Sequence, residues 1–454
     1  MSTSSTASDA IWKDTANLHA EQTMSVMNSI VELPAPMTPL PLPVYEVVTS
    51  LAHDECDHSG EGQIASEIML SFAATELEEY LAPFGSYFKR SEGRQSLAHH
   101  LTGLLANIER KNGEQIAHAI AGTNSQRLQA LLTELQWDAE ALNQQRVQEL
   151  IREATTRGGT LICGEVEMQK QGSSSVGVAR QYVDRLGRTK NCQLLLSWQY
   201  VDSAFSWPVN AQLYLPQEWV QKPERCRRAR IPEESRRFQT KSEIILSLLD
   251  EANRWGVPYR GIASTAAYGS DPLFLAELER RRVEYLVAVP EEFEIQAARR
   301  RSVSGESAKE AIARLADNAW QAISWPRGAG YGSRNVWARV MGWRLASTGP
   351  EAFGWLVAER PLGPRGGPIR YYFTNASPQT SLSTLARLAR RPSRIDEFYQ
   401  FAKSDLGWSH YEGRLWHGLH RHALLVFLAY SFLLLRRIRQ SRQEEGAGRD
   451  EGGD

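Results

Sequence analysis

The chain has 454 residues, 42% of them hydrophobic and 23% charged, with a net charge of −1 at pH 7. That length holds two or three domains with a sizeable core, and the composition is ordinary for a globular protein. A near-neutral total excludes a global basic field. It does not exclude nucleic-acid binding, because arginines cluster at 225–230, 236–237, 299–301, 390–394 and 436–442.

Cys56, Cys163, Cys192 and Cys226 form no CxxC pair and match no zinc spacing, so a reduced, cytoplasmic protein is expected. The N-terminus is polar, without a signal-peptide pattern. The most apolar run, Ala423–Leu435, is short of the roughly 20 residues that span a bilayer, and it reads as a buried helix rather than a membrane anchor.

Residues 1–74 read as a low-order extension, with a proline-stiffened linker from Pro34 to Pro43 and a short acidic loop at His53–His58. From 75 to 153 the pattern is helical. Leu97, Leu101, Leu104, Leu105 and Ile108 share one helical face, as do Leu128, Leu131, Leu132 and Leu135. Between them Gly122–Ser125 is a turn ending in N-cap residues. A helix-turn-helix reader with Arg127 near the start of its second helix fits this pattern. So does a plain helical bundle, which the apolar spacing alone favours.

From Gly158 the signal changes to strands, at Thr160–Cys163, Val176–Ala179, Leu194–Val201 and Ala211–Leu215. Gln171–Gln193 is a hairpin-like connection with a basic and aromatic middle (Arg180, Tyr182) and a turn at Leu186-Gly187. Leu194, Leu196, Trp198 and Tyr200 alternate onto one face. Residues 216–241 read as a long polar connection. Thr240–Glu243 is a capping box opening a helix, Tyr259–Ser264 is a strand, and Asp271-Pro272 opens another helix before a strand at Glu284–Val289. Strands alternating with helices predict an α/β fold with parallel members. Residues 290–376 read as a mainly β insertion, with strands at Val336–Trp343, Phe353–Ala358 and Ile369–Phe373. Helices are expected at Leu382–Arg390, Ile395–Lys403 and Gly413–Arg439. An acidic, Gly-rich tail over 441–454 reads as disordered.

Several blocks resemble bacterial insertion-sequence DDE transposases and keep their order. They include Phe84–Arg90, Ser175–Tyr182, Leu186–Gln193, Leu213–Trp219, Trp255–Pro258, Tyr268-Gly269, Ala402-Lys403 and His410–Arg414. The resemblance covers about residues 80–437. It implies an all-helical N-terminal domain over 75–153 that binds DNA. It also implies an RNase H-like catalytic domain over 154–440, with a β-rich insertion before the last catalytic acid.

The family's chemistry uses three carboxylates to hold two divalent ions, Mg²⁺ or Mn²⁺, for water activation and leaving-group stabilisation. By alignment of the motifs, the first acid falls on Gly164, the second on Thr265 and the third on Asp396, seven residues before Lys403. One acid of three is kept, so no intact catalytic set and no resident metal are expected. The substitutes are Glu165, Glu167 and Glu412. Alternation along a strand points Glu165 away from the Gly164 side, and Glu167 would need a bulge to turn back. Candidate DNA contacts are Arg127, Arg180, Arg188, Lys190, Arg227, Arg228, Lys403 and Arg414; a solvated charged face explains the hairpin residues equally well. His410, His417, His420 and His422 read as packing or capping residues.

The resemblance therefore implies a transposase-like protein that keeps the fold and DNA binding but has lost strand cleavage. An active endonuclease with relocated carboxylates and a non-catalytic interaction scaffold are the alternatives. DNA and a second copy of the chain are the partners to consider.

Overall fold

The computed structural model describes residues 75–450 apart from 157, 184–185, 299–304, 325–333, 347–348 and 363–366. The proline-rich linker, Cys56, the His53–His58 cluster, Arg185, the 299–304 segment and the Gly-rich 328–332 segment lie outside the described residues.

The chain is helical from 75 to 153, in α1 (75–81), α2 (Ser91–Leu105), α3 (Gly113–Ala119), α4 (Ser125–Thr133) and α5 (Ala139–Glu153), with a 3-10 turn at Ala82–Tyr87. The turn before α4 is as expected: Gly122 takes φ +81 and Asn124 caps α4 by accepting from the Arg127 amide.

Next come β1 (Thr160–Gln169), β2 (Ala179–Val183), β3 (Arg188–Val201) and β4 (Ser206–Leu213), then the short helices α6 (Gln217–Val220) and α7 (Pro223–Arg228). Val176–Val178, expected in a strand, precedes β2 as a turn. The 216–241 connection is partly helical rather than simply polar, because Trp219 and Cys226 bury and Pro223 starts α7. Gly187 takes φ +61 in the expected β2–β3 turn.

Helix α8 (Lys241–Arg254) begins with the full Thr240–Glu243 capping box. It leads to β5 (Gly261–Ser264), α9 (Ala266–Gly269), α10 (Pro272–Arg280) capped by Asp271, and β6 (Tyr285–Val289). The insertion holds β7 (Glu294–Ala297), β8 (Glu306–Ser307), α11 (Ala308–Ala313), β9 (Gln321–Ser324), β10 (Arg334–Ala346), β11 (Gly349–Pro361) and β12 (Arg370–Thr374). Then α12 (Leu382–Arg390), α13 (Arg394–Ser404) and α14 (Trp416–Asp450) complete the described chain.

The twelve strands among the described residues join one mixed sheet in the order β2-β3-β1-β5-β6-β12-β11-β10-β7-β8, with β4 also on β3 and β9 also on β10. β1 pairs antiparallel with β3 and parallel with β5, and β5 pairs parallel with β6. An antiparallel β2-β3-β1 block joined to a parallel β1-β5-β6 block is consistent with the RNase H-like expectation. The insertion does not make a sheet of its own: β12 pairs antiparallel with β6 and carries the sheet outward.

β3 is buried on both faces from Cys192 to Val201, not on the single face that its alternation suggested. Trp198 Nε1 donates to Ile245 O of α8 at 2.8 Å, and Tyr399 Oη of α13 donates to Ser197 Oγ at 2.6 Å. Residues 197 and 198 point to opposite faces, so α8 and α13 cover opposite sides of the sheet.

Helix α14 is the hub: it packs against α2, α4, α5 and β4. Over Trp416–Gln443 it is long and apolar enough to cross a membrane, yet 78% of its most apolar window is buried inside the fold. The helix also corrects the expected disordered tail, since it runs past residue 441 to Asp450. Arg442 helps hold this end, pairing with Glu153 at the end of α5 at 2.5 Å.

Candidate functional site

Parallel pairing brings the C-terminal ends of β1 and β5 side by side. β5 pairs only with Thr160–Ile162, so β1 continues past it from Cys163 to Gln169. This overhang carries Gly164, Glu165 and Glu167. Its register with β3 is continuous from Thr160↔Val201 to Gln169↔Cys192, with no bulge, so Glu165 and Glu167 share one face and Gly164 the other.

Gly164 is closed off. A Cβ placed there would lie 2.5 Å from Ile395 Cδ1 of α13. Ile395 is itself 7% exposed, so the space that an acidic side chain would need is filled by an apolar one. On the other face, Glu165 accepts from Lys241 Nζ at 2.6 Å, where Lys241 is the first residue of α8. Glu167 accepts from Lys403 Nζ at 2.7 Å. The Glu165 and Glu167 side chains are only 8% and 5% exposed. Cys192, opposite Gln169 on β3, feels both: burial first, then the charges of Glu167 and Glu165, push its thiol up to about 11 against the opposing effect of Lys241.

Thr265 caps the short helix α9 at the exposed end of β5, contributing its carbonyl oxygen to the Tyr268 and Gly269 amides. Tyr268 is buried and packs against Phe274 at 5.5 Å between ring centroids. Gly269 presses on β6 so closely that a Cβ would lie 1.9 Å from Ala288 O. Asp271 serves as the α10 N-cap, accepting from the Leu273 and Phe274 amides. Asp396 lies in the exposed first turn of α13, next to the buried Ile395. Glu412 is drawn elsewhere: it pairs with Arg110 at 2.9 Å and accepts from Asn112 Nδ2 at 3.2 Å.

A pair of divalent ions does not fit this arrangement. The first slot is a glycine covered by the buried Ile395 side chain, the second offers a hydroxyl, and the two nearby glutamates already face ammonium groups. Among the described residues no group of three His, Cys, Asp or Glu side chains is placed to hold a metal ion.

The basic candidates divide into three groups. Arg180, Arg188, Arg227, Arg228 and Arg414 are exposed, and Lys190 is half-buried. Tyr182 is 54% exposed beside them on β2. Helix α7 is anchored to the loop before β2 by Arg225, which donates to Ser173 O at 2.6 Å and stacks over Trp219 at 3.6 Å. Helix α7, which carries Arg227 and Arg228, is thereby tied to the segment that leads into β2, and Arg227 also pairs with Glu224. Arg127 stands apart at the start of α4, exposed, 3.4 Å from Gly122 O. Lys403 leaves the set, because its ammonium faces Glu167.

The histidines are structural. His420 accepts the Leu213 amide at 3.1 Å, His410 accepts the Lys111 amide at 3.0 Å, and His422 contacts the Gly407 and Trp408 carbonyls. Burial pushes His420 and His422 down to about 4, so both are neutral at pH 7.

Sequence reasoning missed Lys241 and Ile395. Lys241 showed only as part of a capping box and Ile395 only as a helical apolar residue. Their partners lie far away in the chain, and no local signal marked either.

A family model described as "DDE superfamily endonuclease" matches residues 83–330. That span includes the β1 and β5 slots but not α13. A curated relative, the probable transposase for insertion sequence element IS701 from Microchaete diplosiphon, is 25% identical over 214 residues. That alignment covers 47% of this chain and 53% of the relative, so the chain spans about half the length of the relative it matches.

Proposed function

The chain belongs to the DDE superfamily endonuclease family, and from that premise we propose that it is a transposase-type protein that binds DNA without cutting it. The observation that carries this reading is the closure of Gly164 by Ile395 Cδ1, 2.5 Å from where a side chain would begin. Strand cleavage by two metals needs carboxylates converging on both ions. Here the kept acid, Asp396, sits on the same helix turn as the residue that plugs the first slot.

DNA binding would use the exposed arginines of the β2–β3 hairpin and α7, with the helical domain over 75–153 as a second contact through Arg127. In this reading the hairpin and α7 arginines would meet phosphates rather than read bases. Binding would therefore be salt-dependent and of low sequence preference at this surface.

The test pairs two assays. Supercoiled plasmid incubated with the protein and Mg²⁺ or Mn²⁺ stays uncut, while a labelled duplex is retarded in a gel. Changing Arg227 and Arg228 to Ala weakens that retardation and lowers the salt slope by about 0.9 per lost phosphate contact. Nicking that disappears in Asp396→Asn would establish the active endonuclease instead. Absence of DNA binding at low salt would leave the interaction-scaffold reading.

A further inference from the structure

The basic residues assigned to DNA above lie on the hairpin and on α7, with Arg127 apart. Another group gathers where the end of α7 meets the start of α14. We propose that this seam, formed by Arg228, Arg230, Arg237 and Arg414, is the main phosphate-binding site of the protein, with the backbone of duplex DNA as its ligand. The inference rests on the DNA-binding reading above and locates its centre, adding Arg230 and Arg237 to it.

The Trp416 amide of α14 donates to Ala229 O at 2.9 Å, so the two helices meet at that bond. Ala229 stands between Arg228 and Arg230, and Arg414 lies two residues before Trp416. Arg237 and Trp416 line one small cleft. Four arginines are therefore brought round a single backbone contact, and all four are exposed. Among the described residues none of them pairs with a carboxylate, whereas Arg227 is taken by Glu224 and Arg225 faces Glu218. Glu233 and Glu234 are exposed on the turn after α7 and pair with none of the four.

Behind this surface the charge is also positive. Burial pushes the His417 imidazole down, and the charges of Arg421 and Arg230 push it further, with no carboxylate opposing them. Unpaired like charges held together raise the local potential, and a bound anion relieves it.

Arg230 also fills a position that glycine usually takes. The Arg230 amide donates to Arg227 O at 3.0 Å and the Ile231 amide to Cys226 O at 3.1 Å, a Schellman end to α7, and Arg230 adopts φ +52. Arg282 stands in the same place after α10, so the conformation by itself marks no site. It does supply a clean variant: glycine suits this turn and removes the guanidinium.

In the experiment the full chain is titrated onto a labelled duplex over a series of salt concentrations, and Tm is measured alongside. Arg230→Gly stays folded yet binds more weakly at each salt. Arg230→Gly/Arg414→Ala lowers the slope of log affinity against log salt by about 1.8, two phosphate contacts at about 0.9 each. Arg230→Lys/Arg414→Lys keeps the slope, because the charge remains. Arg180→Ala/Arg188→Ala in the hairpin lowers it less than the seam variant does. Wild-type affinity and slope in a folded Arg230→Gly/Arg414→Ala overturn this inference and leave DNA binding itself standing. A hairpin variant that loses more slope than the seam variant overturns it too. A wild-type chain that binds no duplex overturns both this inference and the reading beneath it.

Discussion

Two regions of this protein bury carboxylates against basic side chains, and they do so differently. In the insertion, Glu359 of β11 is 1% exposed and is gathered by many donors: Arg390 at 2.9 Å, Arg370 at 3.7 Å, Tyr372 Oη at 3.1 Å and the Asn335 side-chain amide. At the β1 overhang, Glu165 and Glu167 lie against lysines from two separate helices, each lysine 25–29% exposed. The first is a structural hub built within one sheet and its covering helix, with neutral donors beside the charged ones. The second is a pair of lysine contacts on the face of β1 opposite Gly164. Satisfaction by several fixed donors marks a carboxylate committed to the fold. A partly exposed ammonium from a separate helix can also turn to water, so the fold leans less on that pairing.

The largest expected effect tests the hub. Glu359→Ala removes the buried acceptor shared by Arg390, the Tyr372 hydroxyl and the Asn335 amide, and should cost about 3–5 kcal/mol in chemical denaturation. A cost under about 1 kcal/mol would erase the distinction between the two regions.

Gly164→Asp, which restores the acid of the first slot, should come next. Overlap with Ile395 and burial of the carboxyl together give about 2–4 kcal/mol of destabilisation. Ile395→Ala in the same chain should recover part of that cost, because it reopens the space. An additive loss would show that Ile395 is not what closes the slot.

Glu167→Gln should cost less, about 1–2 kcal/mol, because Lys403 is a quarter exposed and can turn its ammonium to water. A loss as large as that of Glu359→Ala would make the overhang a second hub. The smallest effect belongs to Glu412→Ala, whose partner Arg110 is 63% exposed; the exposed pair should contribute under about 0.5 kcal/mol.

Several features of the fold could be read locally. The Thr240–Glu243 box, the Asp271-Pro272 start of α10 and the Gly122–Asn124 turn all form as expected, because capping depends on residues three or four apart. Helix α12 matches its expected span at Leu382–Arg390. Helix α14 does not, running to Asp450 where charged residues had suggested disorder. Exposed Arg442 reaches Glu153, 289 residues away in the chain, a contact that no local pattern announces.

The candidate site divides in the same way. From the sequence, the resemblance assigns Gly164 and Thr265 to positions where acids are expected, a reading that needs only residue identity in an ordered set of motifs. The sequence by itself determined that Glu165 faces away from Gly164, since strand alternation has a period of two. Only the tertiary structure decided what fills the vacant slot and what faces the remaining glutamates. Lys241 and Glu165 are 76 residues apart, and Lys403 and Glu167 are 236 apart. Those partners meet because α8 and α13 dock on opposite faces of one sheet. Docking is set by burial summed over whole helices rather than by any short run of residues.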